Sequence, residues 1–318
     1  MIDLKLLQEY LICPCCHRSE LSWKVDTSEL KCESCGAQYP ITHGRPVLLR
    51  PDNAVFCQDD YRYAGLPATE VSVGWGRFIP APSVNLANGR LLARMRQLLS
   101  ELPVAKVMVV GGGCQRQWLD ERLGASDTVR VVYSDIDVRS DIDLFCDGHD
   151  LPFVEGSFDA VITTAVLEHV LYPERVAAEI YRVLKMGGLL YSELPFMQQV
   201  HEGAYDFTRY TLSGHRRLLN GFSEIESGMV AGPGTALVWA IENFVLAFVA
   251  RSTFRKMAKA LVRIGFAWLK HFDRLLVNRP EAMDGASCTY FLGRKIEGGI
   301  PDTEIIARYV GAKHLRHA

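Results

Sequence analysis

Two pairs of cysteines near the N-terminus constrain what the first fifty residues can fold into. Cys13 and Cys16 are separated by two residues, and after fifteen further residues Cys32 and Cys35 repeat that spacing. Such pairs present four thiolates tetrahedrally to a zinc ion and leave no coordination position open for catalysis. A segment of this size buries too little apolar surface to fold alone, so the metal replaces a core. We predict a zinc ribbon over residues 1–50 with these four ligands.

The remaining cysteines describe the environment of the chain. Cys15 and His17 are competing zinc ligands, but only Cys13 with Cys16 repeats the spacing of the second pair. The cysteines outside that pattern stand alone in the sequence: Cys15, Cys57, Cys114, Cys146 and Cys288. Such single cysteines are typical of a reducing compartment, and the N-terminus has neither the positive start nor the long apolar run of a signal peptide. We therefore expect a cytoplasmic protein.

Residues 51–90 separate the ribbon from the rest of the chain. Four prolines and the sequence VGWG break any periodicity there, so we predict a linker or a lid. From about residue 88 the pattern changes to helical spacing that alternates with runs typical of buried strands. The strand-like runs are KVMVV, VRVVYSD, FDAVITT and LLYSELP, and the helix-like runs are NGRLLARMRQLLS and YPERVAAEIYRVLKMGG. This alternation indicates an α/β fold with a parallel sheet that is covered on both faces.

The C-terminal third adds a helical excursion to this sheet. Helical spacing extends over roughly 235–277 and precedes a strand-like run, SCTYFLGRK, near the C-terminus. A helical excursion before a last strand indicates an insertion into the sheet domain. We predict a core at 91–228, a helical insertion at 229–286, and a last strand with a C-terminal tail at 287–318.

A glycine-rich turn at residues 111–113 follows the first strand of the sheet. Loops of this kind hold nucleotide cofactors. A dinucleotide fingerprint needs glycine at position 116, where the chain has Arg116, and the looser adenosyl-sulfonium pattern needs it at 115, where the chain has Gln115. Asp135 ends the second strand and can accept hydrogen bonds from both hydroxyls of a ribose, but this fits NAD equally well. The loop alone therefore leaves the cofactor open.

The segment at residues 146–191 decides between these cofactors. It contains an acid-x-x-x-L-P-F run, then S-F-D, then L-x-H, and then E-x-x-R-V-L-K-x-G-G. Over residues 105–228 the chain resembles the class I S-adenosylmethionine (SAM) dependent methyltransferases of the quinone-methylating type. The resemblance implies a Rossmann-like seven-stranded sheet, SAM as cofactor and methyltransferase activity. The N-terminal module, with Y-P-I and G-x-P-x-L-L after its second cysteine pair, resembles the small zinc-ribbon proteins that activate tRNA and release-factor methyltransferases.

The same resemblance implies a set of cofactor-binding residues. Glycines let the backbone approach SAM, one acid holds the ribose, and a second acid accepts a hydrogen bond from the adenine amine beside residues that line the adenine ring. In this order the residues are Gly111, Gly112, Gly113, Asp135 with its neighbour Ile136, Asp147, Gly148 and His149.

A polar run, VHEGAYDFTRYTLSGHRRLL, follows the LLYSELP strand, where ligands of such sheets bind. It resembles a run in methyltransferases that are encoded among sugar-modifying and surface-glycan enzymes. Methyl transfer to a hydroxyl needs alignment and a base. Histidine exchanges protons near neutral pH, so we predict His201 as the base, with Asp206 as its orienter or as the second candidate. Tyr205, Arg209 and Tyr210 are predicted to contact the substrate, unless this run only ties a loop to the sheet.

A basic stretch with an apolar stripe lies between Arg251 and Arg279, where eight lysines or arginines accompany one acid, Asp273. Its apolar residues recur at steps of three and four: Phe254, Met257, Leu261, Ile264, Trp268, Phe272 and Leu275. Beside them, cations follow at four-residue steps: Arg255, Lys259 and Arg263. The stripe fits a helix packed on the core, a membrane-surface helix or, third, an RNA-binding helix.

Membrane contact through residues 236–276 is expected to be peripheral, at the inner face of the membrane. The longest apolar stretch, residues 236–250, is shorter than the ~20 residues that a spanning helix needs. It also contains Glu242 and Asn243.

Together these patterns predict O-methylation, with SAM, of a sugar, a glycan precursor or a lipid-linked small substrate. An RNA methyltransferase with a zinc finger is one alternative. The net charge of −2 and the concentration of cations outside the zinc module argue against nucleic acid as a partner. A non-catalytic methyltransferase-like binding protein is the other alternative, because Val109 and Gln115 replace an acid and a glycine that the family usually has.

Overall fold

The computed structural model describes residues 9–24, 29–62, 79–113 and 115–313. Four short strands build the N-terminal ribbon and pair antiparallel in chain order: β1 (Leu21–Lys24), β2 (Glu29–Cys32), β3 (Gln38–Thr42) and β4 (Arg45–Leu48). The turn between β3 and β4 consists of His43 and Gly44, whose φ angles are 50° and 76°. Two positive φ angles in a two-residue loop are typical of a type I′ hairpin, which fixes the register of β4.

Strand β4 joins the ribbon to the main sheet. It pairs in parallel with β7 (Leu144–Cys146) through Val47 and Leu48, and the Val154 N–H donates to the Tyr10 carbonyl. Buried ribbon side chains also share one apolar cluster with the main core: Leu11, Leu21, Leu30, Tyr39 and Leu48. The ribbon is therefore an extension of the main sheet, in both its hydrogen bonds and its packing.

The main sheet has seven strands in the order β7-β6-β5-β8-β9-β11-β10. All are parallel except β11, which is antiparallel to both neighbours. Besides β7, the strands are β5 (Ala105–Val110), β6 (Val129–Asp135), β8 (Phe158–Thr164), β9 (Leu184–Pro195), β10 (Phe222–Ala231) and β11 (Cys288–Lys295). The predicted α/β, seven-stranded methyltransferase-type sheet is confirmed.

Short helices connect these elements. They are α1 (Gln58–Arg62), α2 (Asn88–Leu99), α3 (Arg116–Leu123), α4 (Pro173–Val183), α5 (Leu212–Leu218) and, near the C-terminus, α9 (Asp302–Ala307). The prediction of a helix that continues up to the glycines at 187 and 188 is wrong at its end, because β9 begins at Leu184, directly after α4. Gly187, with φ of 77°, lies within β9, where the register against β8 shifts. The glycines therefore bend a strand rather than end a helix.

The helical insertion lies between β10 and β11. It consists of α6 (Pro233–Ala247), α7 (Ser252–Phe266), a 3-10 helix (Ala267–Phe272), α8 (Asp273–Leu276) and a second 3-10 helix (Pro280–Gly285). The continuous helix predicted over roughly 235–277 is thus broken into several. No helix within the described ranges is both long and apolar enough to span a bilayer.

Buried charges hold α7 against α6. The Glu242 carboxylate is 1% exposed and pairs with Arg263 at 2.6 Å and with Lys259 at 3.4 Å. Arg255 donates to the carbonyls of Leu246 and Val249 at the end of α6. The predicted basic stripe therefore lies along α6, where Arg263 is half-buried and Arg255 and Lys259 remain partly exposed.

The apolar stripe of α7 and α8 consequently points outward. Its seven side chains, from Phe254 to Leu275, are between 47% and 73% exposed. The interpretation that this stripe packs on the core is wrong. Pairing with Glu242 requires the cationic face of α7 to turn inward, and the apolar face lies on the opposite side of the helix.

Candidate active site

The predicted zinc ligands converge in the ribbon. The sulfur atoms of Cys13, Cys16, Cys32 and Cys35 all lie within 4.8 Å of one another, and the Cys13–Cys35 and Cys16–Cys32 sulfurs are each 3.6 Å apart. Tetrahedral zinc with Zn–S bonds of ~2.3 Å places its sulfurs about 3.8 Å apart. Cys15 lies outside this cluster and accepts a hydrogen bond from the Tyr39 hydroxyl. The donor set and its spacing therefore fit zinc.

The glycine loop lies at the carboxyl end of β5, beside the ends of β6, β7 and β8. We call this side of the sheet the cofactor edge. Gly111 has a φ of 71°, and a Cβ atom there would lie 2.3 Å from a methyl carbon of Val166. A Cβ on Gly113 would lie 2.9 Å from the Asp135 carboxylate. The loop therefore requires glycine at both positions, because a side chain at either would collide with its neighbours.

Asp135 binds the loops on both sides of it. Its Oδ2 accepts from the Gly113 N–H at 2.9 Å and from the Ser140 hydroxyl at 3.1 Å. Its Oδ1 accepts from the N–H groups of Ile136 and Asp137 at 2.7 and 3.0 Å. A carboxylate has about four acceptor positions, and these four hydrogen bonds occupy them.

Asp147, at the end of β7, retains acceptor capacity. Its Oδ1 accepts from the N–H and Nδ1 of His149, and its Oδ2 accepts from the Asn53 amide at 2.8 Å. Burial acts to raise the pKa of Asp147, but these hydrogen bonds outweigh it and the pKa is lowered. The group is therefore an ionised acceptor at neutral pH, and Gly148 lies beside it against Val176.

The segment after the ribbon covers the cofactor edge. Besides Asn53, the hydroxyl of Tyr61 donates to the Ile136 carbonyl at 2.6 Å, and the ring of Phe56 stacks on Tyr205 with centroids 6.4 Å apart. Residues 51–62, which belong to the predicted linker or lid at 51–90, thus lie across the cofactor edge, and we call them the lid segment. Residues 63–78 of the predicted linker lie outside the described residues. The side chains of the lid segment were not identified from sequence, because no motif marks them.

The loop after β9 brings the predicted catalytic residues together. The Asp206 carboxylate is fully buried and accepts from the His201 N–H at 2.8 Å and from two nitrogens of Arg209. Burial acts to raise the pKa of Asp206, but the Arg209 guanidinium and the backbone N–H groups hold it well below its ordinary value. So strongly acidic a group is a poor base, and this geometry favours the orienter role of Asp206.

Arg209 also stabilises this loop. Its Nε donates to the Gln198 carbonyl at 2.7 Å, and its other nitrogens donate to Asp206 and to the carbonyls of Gln199 and Thr208. All five N–H groups of the guanidinium thus have partners within the chain. Of the residues predicted to contact substrate, Tyr205 is 51% exposed beside the lid segment, whereas Tyr210 packs against the core.

Two further residues, Glu168 and His169, lie beside His201. The rings of His169 and His201 are 4.8 Å apart, and His169 Nε2 is 3.6 Å from a carboxylate oxygen of Glu168. Burial raises the pKa of Glu168 to about 8. These residues belong to the L-x-H pattern of the sequence, which we read as family signature rather than as site. Trp239 of α6 lies beside this group, with its ring centroid 6.1 Å from that of His201.

Comparisons with known families identify two parts of the chain. A family model described as a methyltransferase domain matches residues 110–192, and one described as Trm112p-like protein matches residues 4–44. The chain contains a methyltransferase domain and a Trm112p-like domain. The predicted SAM-dependent methyltransferase with an N-terminal zinc module is thereby confirmed. A search of curated protein sequences finds no match.

Several solved structures are similar to this methyltransferase. A complex of the Trm112 methyltransferase activator from Haloferax volcanii with a protein assigned as a methyltransferase is 18% identical, with coverage of 65% of this chain and 91% of that chain and a TM-score of 0.39. Phosphoethanolamine N-methyltransferase 2 from Haemonchus contortus is 16% identical, with coverage of 67% of this chain and 54% of that chain and a TM-score of 0.42. The domain matches carry the identification, and these neighbours add no further argument.

The cofactor edge fits SAM at two of the predicted places. The glycine loop forms a tight turn at the carboxyl end of β5, and Asp147, which accepts three hydrogen bonds, keeps an acceptor position for an amine. Asp135 is the exception, because protein donors already occupy its oxygens. A ribose hydroxyl reaches Asp135 only by displacing one of them, of which the Ser140 hydroxyl is the most easily rotated away.

Proposed function

We propose that this methyltransferase O-methylates a hydroxyl of a lipid-linked sugar or glycan intermediate at the surface of an anionic membrane. We call the group formed by Glu168, His169, His201 and Asp206 the acceptor side of the site. One observation carries the proposal: the helical insertion contributes to the acceptor side and also presents the apolar stripe. Trp239 of α6 lies beside His201, and the charge pairs of Glu242 turn the stripe of α7 outward. A membrane-bound protein would thus hold its acceptor site close to lipid-linked substrates.

The chemistry needs an acceptor oxygen that has lost its proton. SAM supplies, when bound, a methyl group on a sulfonium sulfur, which the acceptor oxygen takes up as the C–S bond breaks and its electron pair stays on sulfur. The Nδ1 of His201 faces the Gln199 carbonyl and the Asp206 carboxylate, so Nε2 keeps its lone pair. Nε2 can take the proton itself or bind an ion that acidifies the hydroxyl. Both routes place His201 at the acceptor oxygen.

Charge favours an anionic bilayer over a second copy of the chain as the partner of the stripe. The single acid between Arg251 and Arg279 is Asp273, which is buried and accepts from the Gly232, Gly234 and Thr235 N–H groups. Apart from Arg255 and Lys259, which contact α6, the exposed charged residues of this stretch are all cationic: Arg251, Lys256, Arg274 and Arg279. A twofold dimer through the stripe would bring these cations together, whereas anionic lipid headgroups attract them.

Methyl transfer into lipid tests this proposal. The protein is incubated with SAM labelled in its methyl group and with vesicles made from a total membrane lipid extract, and label is counted in the organic phase. The double variant Leu261→Asp/Ile264→Asp should lose vesicle flotation and at least tenfold of the label, because it puts two charges on the exposed apolar face that would contact lipid. His201→Ala should float normally and transfer little label. The matched control is Ile306→Asp, an exposed isoleucine of α9 outside the stripe, which should behave as the parent.

Two results contradict the proposal. Flotation that is equal in the parent and the double variant would remove the membrane from it. Label that accumulates only in water-soluble nucleotide sugars, or only in added RNA, would replace the lipid-linked acceptor with that class of substrate.

A further inference from the structure

We infer that Glu168, His169 and His201 bind a divalent transition-metal ion on the acceptor side of the site. One ligand atom from each of these residues lies within 4.8 Å of the other two. Two imidazoles and one carboxylate are a ligand set that first-row divalent ions accept with further coordination positions left open. The four-cysteine site is separate, because its thiolates belong to the N-terminal ribbon, which lies beyond β7 at one end of the sheet.

The surroundings of Glu168 carry this inference furthest. Its side chain is 0% exposed, and within the described part of the chain neither carboxylate oxygen has a hydrogen-bond partner. Arg209 donates its five N–H groups elsewhere and leaves none for Glu168. A buried carboxyl group without a partner is unfavourable whether or not it holds a proton, and such groups are normally paired, hydrogen-bonded or bound to a metal. A cation between Glu168 and the two histidines satisfies it.

Both histidines are oriented as metal ligands are. The Nδ1 of His169 lies 2.6 Å from the Tyr205 carbonyl, and the Nδ1 of His201 lies 3.3 Å from the Gln199 carbonyl and 3.4 Å from Asp206. A carbonyl only accepts, so each Nδ1 carries the proton and each Nε2 presents a lone pair. Donation of the other ring N–H to a carbonyl or carboxylate is the usual support of a metal-binding histidine.

The ligand distances require a modest closure on binding. Bonds of about 2.1 Å in tetrahedral or octahedral geometry place neighbouring ligand atoms about 3.0–3.4 Å apart. The closest measured pair, His169 Nε2 and Glu168 Oε1, is already at 3.6 Å. The other ligand atoms lie within 4.8 Å of one another, so binding requires the Glu168 and His201 side chains to move closer by about 1–2 Å.

The use of such an ion rests on the proposed function. Its open positions take an oxygen ligand, and positive charge beside an acceptor hydroxyl lowers the pKa of that hydroxyl. His201 then acts as a ligand rather than as the proton acceptor, and Asp206 keeps its ring in place. Binding of the ion itself does not depend on the acceptor.

Titration with Mn2+ tests the inference on the full-length, zinc-loaded protein. Mn2+ is suited to this because it binds thiolates weakly and is the weakest competitor for an occupied zinc site. Free Mn2+ is followed by electron paramagnetic resonance. The parent should bind one Mn2+ per chain after treatment with a mild chelator, and Glu168→Gln and His201→Asn should each weaken binding at least tenfold. The control Glu202→Gln removes an exposed carboxylate in the same loop and should leave binding unchanged.

Each outcome decides the matter. Zinc content and SAM affinity equal to those of the parent establish that a variant is folded, and His169→Asn replaces either variant that fails this check. A parent that binds no Mn2+, or variants that bind it as the parent does, would overturn the ion site. A parent that binds no Mn2+ but labels lipid disproves the ion alone, whereas Mn2+ binding without labelled lipid disproves the proposed acceptor alone.

Discussion

Asp135 and Asp147 on the cofactor edge and Glu168 on the acceptor side are supported by the chain in opposite ways. Asp135 and Asp147, on the cofactor edge, accept hydrogen bonds from loops, from the lid segment and from their own neighbours. Glu168, on the acceptor side, is buried and accepts none from the described residues. The cofactor edge is therefore assembled by the chain itself, whereas the acceptor side has a group that only a ligand completes.

This difference follows from where each edge obtains its support. The cofactor edge lies next to the ribbon, and Arg45 of β4 donates to the Ser140 carbonyl and pairs with Asp141 at 2.8 Å in the loop after β6. The acceptor side lies next to the helical insertion. The buried acids of this insertion, Glu242 and Asp273, bind groups of its own helices. Three measurements test this contrast, and they follow from the largest expected effect to the smallest.

Loss of the zinc ion should have the largest effect. Cys32→Ser removes one thiolate, and structural zinc contributes about 10–16 kcal/mol to folding in zinc-finger peptides. Because β4 pairs with β7, we expect unfolding to spread from the ribbon to the cofactor edge. The variant should contain one zinc less per chain, melt more than about 10 °C lower and bind SAM poorly.

Cys57→Ser is the matched control, since Cys57 is exposed and outside the cluster. It should retain zinc, stability and SAM affinity. If Cys32→Ser loses its zinc and still melts and binds SAM as the parent does, then the ribbon does not support the cofactor edge.

Much of this architecture could be predicted from local sequence. The cysteine spacing identifies the zinc ligands, and apolar runs such as VRVVYSD locate buried strands to within a residue. Both patterns are local, because each cysteine pair and each strand occupies only a few consecutive residues. The start of β9 at Leu184 was missed, since the glycines that usually end a helix here lie inside a bent strand.

What sequence could not supply are contacts over long separations. Asn53 meets Asp147 across 94 positions, and Tyr61 meets Ile136 across 75, so no spacing rule relates them. The periodicity of α7 predicts an amphipathic helix but not which face packs inward, and that was decided by Glu242 on another helix. Glu168 was overlooked because its significance is the lack of partners around it, which depends on the packing of β8, β9 and the following loop.

The next effect concerns the two acids of the cofactor edge. Removal of the Asp147 carboxylate leaves donors unpaired, so Asp147→Ala should weaken SAM binding by about 1–3 kcal/mol, roughly 5- to 150-fold, in calorimetric titration. Asp135→Ala should lower the unfolding free energy of the SAM-free protein more than Asp147→Ala does, because Asp135 has four hydrogen bonds within the chain. Unchanged SAM affinity in both variants would rule out both residues as ligands of the nucleoside.

The smallest effect comes from a histidine whose two ring nitrogens both contact hydroxyl groups. His215 is fully buried between β9 and β11, where Nδ1 contacts the Thr289 hydroxyl at 3.2 Å and Nε2 contacts the Ser192 hydroxyl at 3.0 Å. Burial lowers the pKa of His215 to about 3, below its ordinary value near 6.5. At pH values between these two the unfolded chain binds a proton that the folded chain excludes, so stability falls as the pH falls below about 6.5.

For this one group the loss between pH 7.0 and 5.5 is about 1 kcal/mol. His215→Gln keeps a polar group of similar reach without a titrating proton, and urea unfolding of the variant should show a pH dependence that is weaker by this amount over the same interval. The variant is also expected to be less stable than the parent at pH 7, since glutamine reproduces the two hydrogen bonds imperfectly. An equal pH dependence in the two proteins would mean that His215 takes up its proton within the fold. His215 would then exchange protons within the fold, as we expect of His201, and burial with two hydroxyl partners would not be enough to keep a histidine of this sheet neutral.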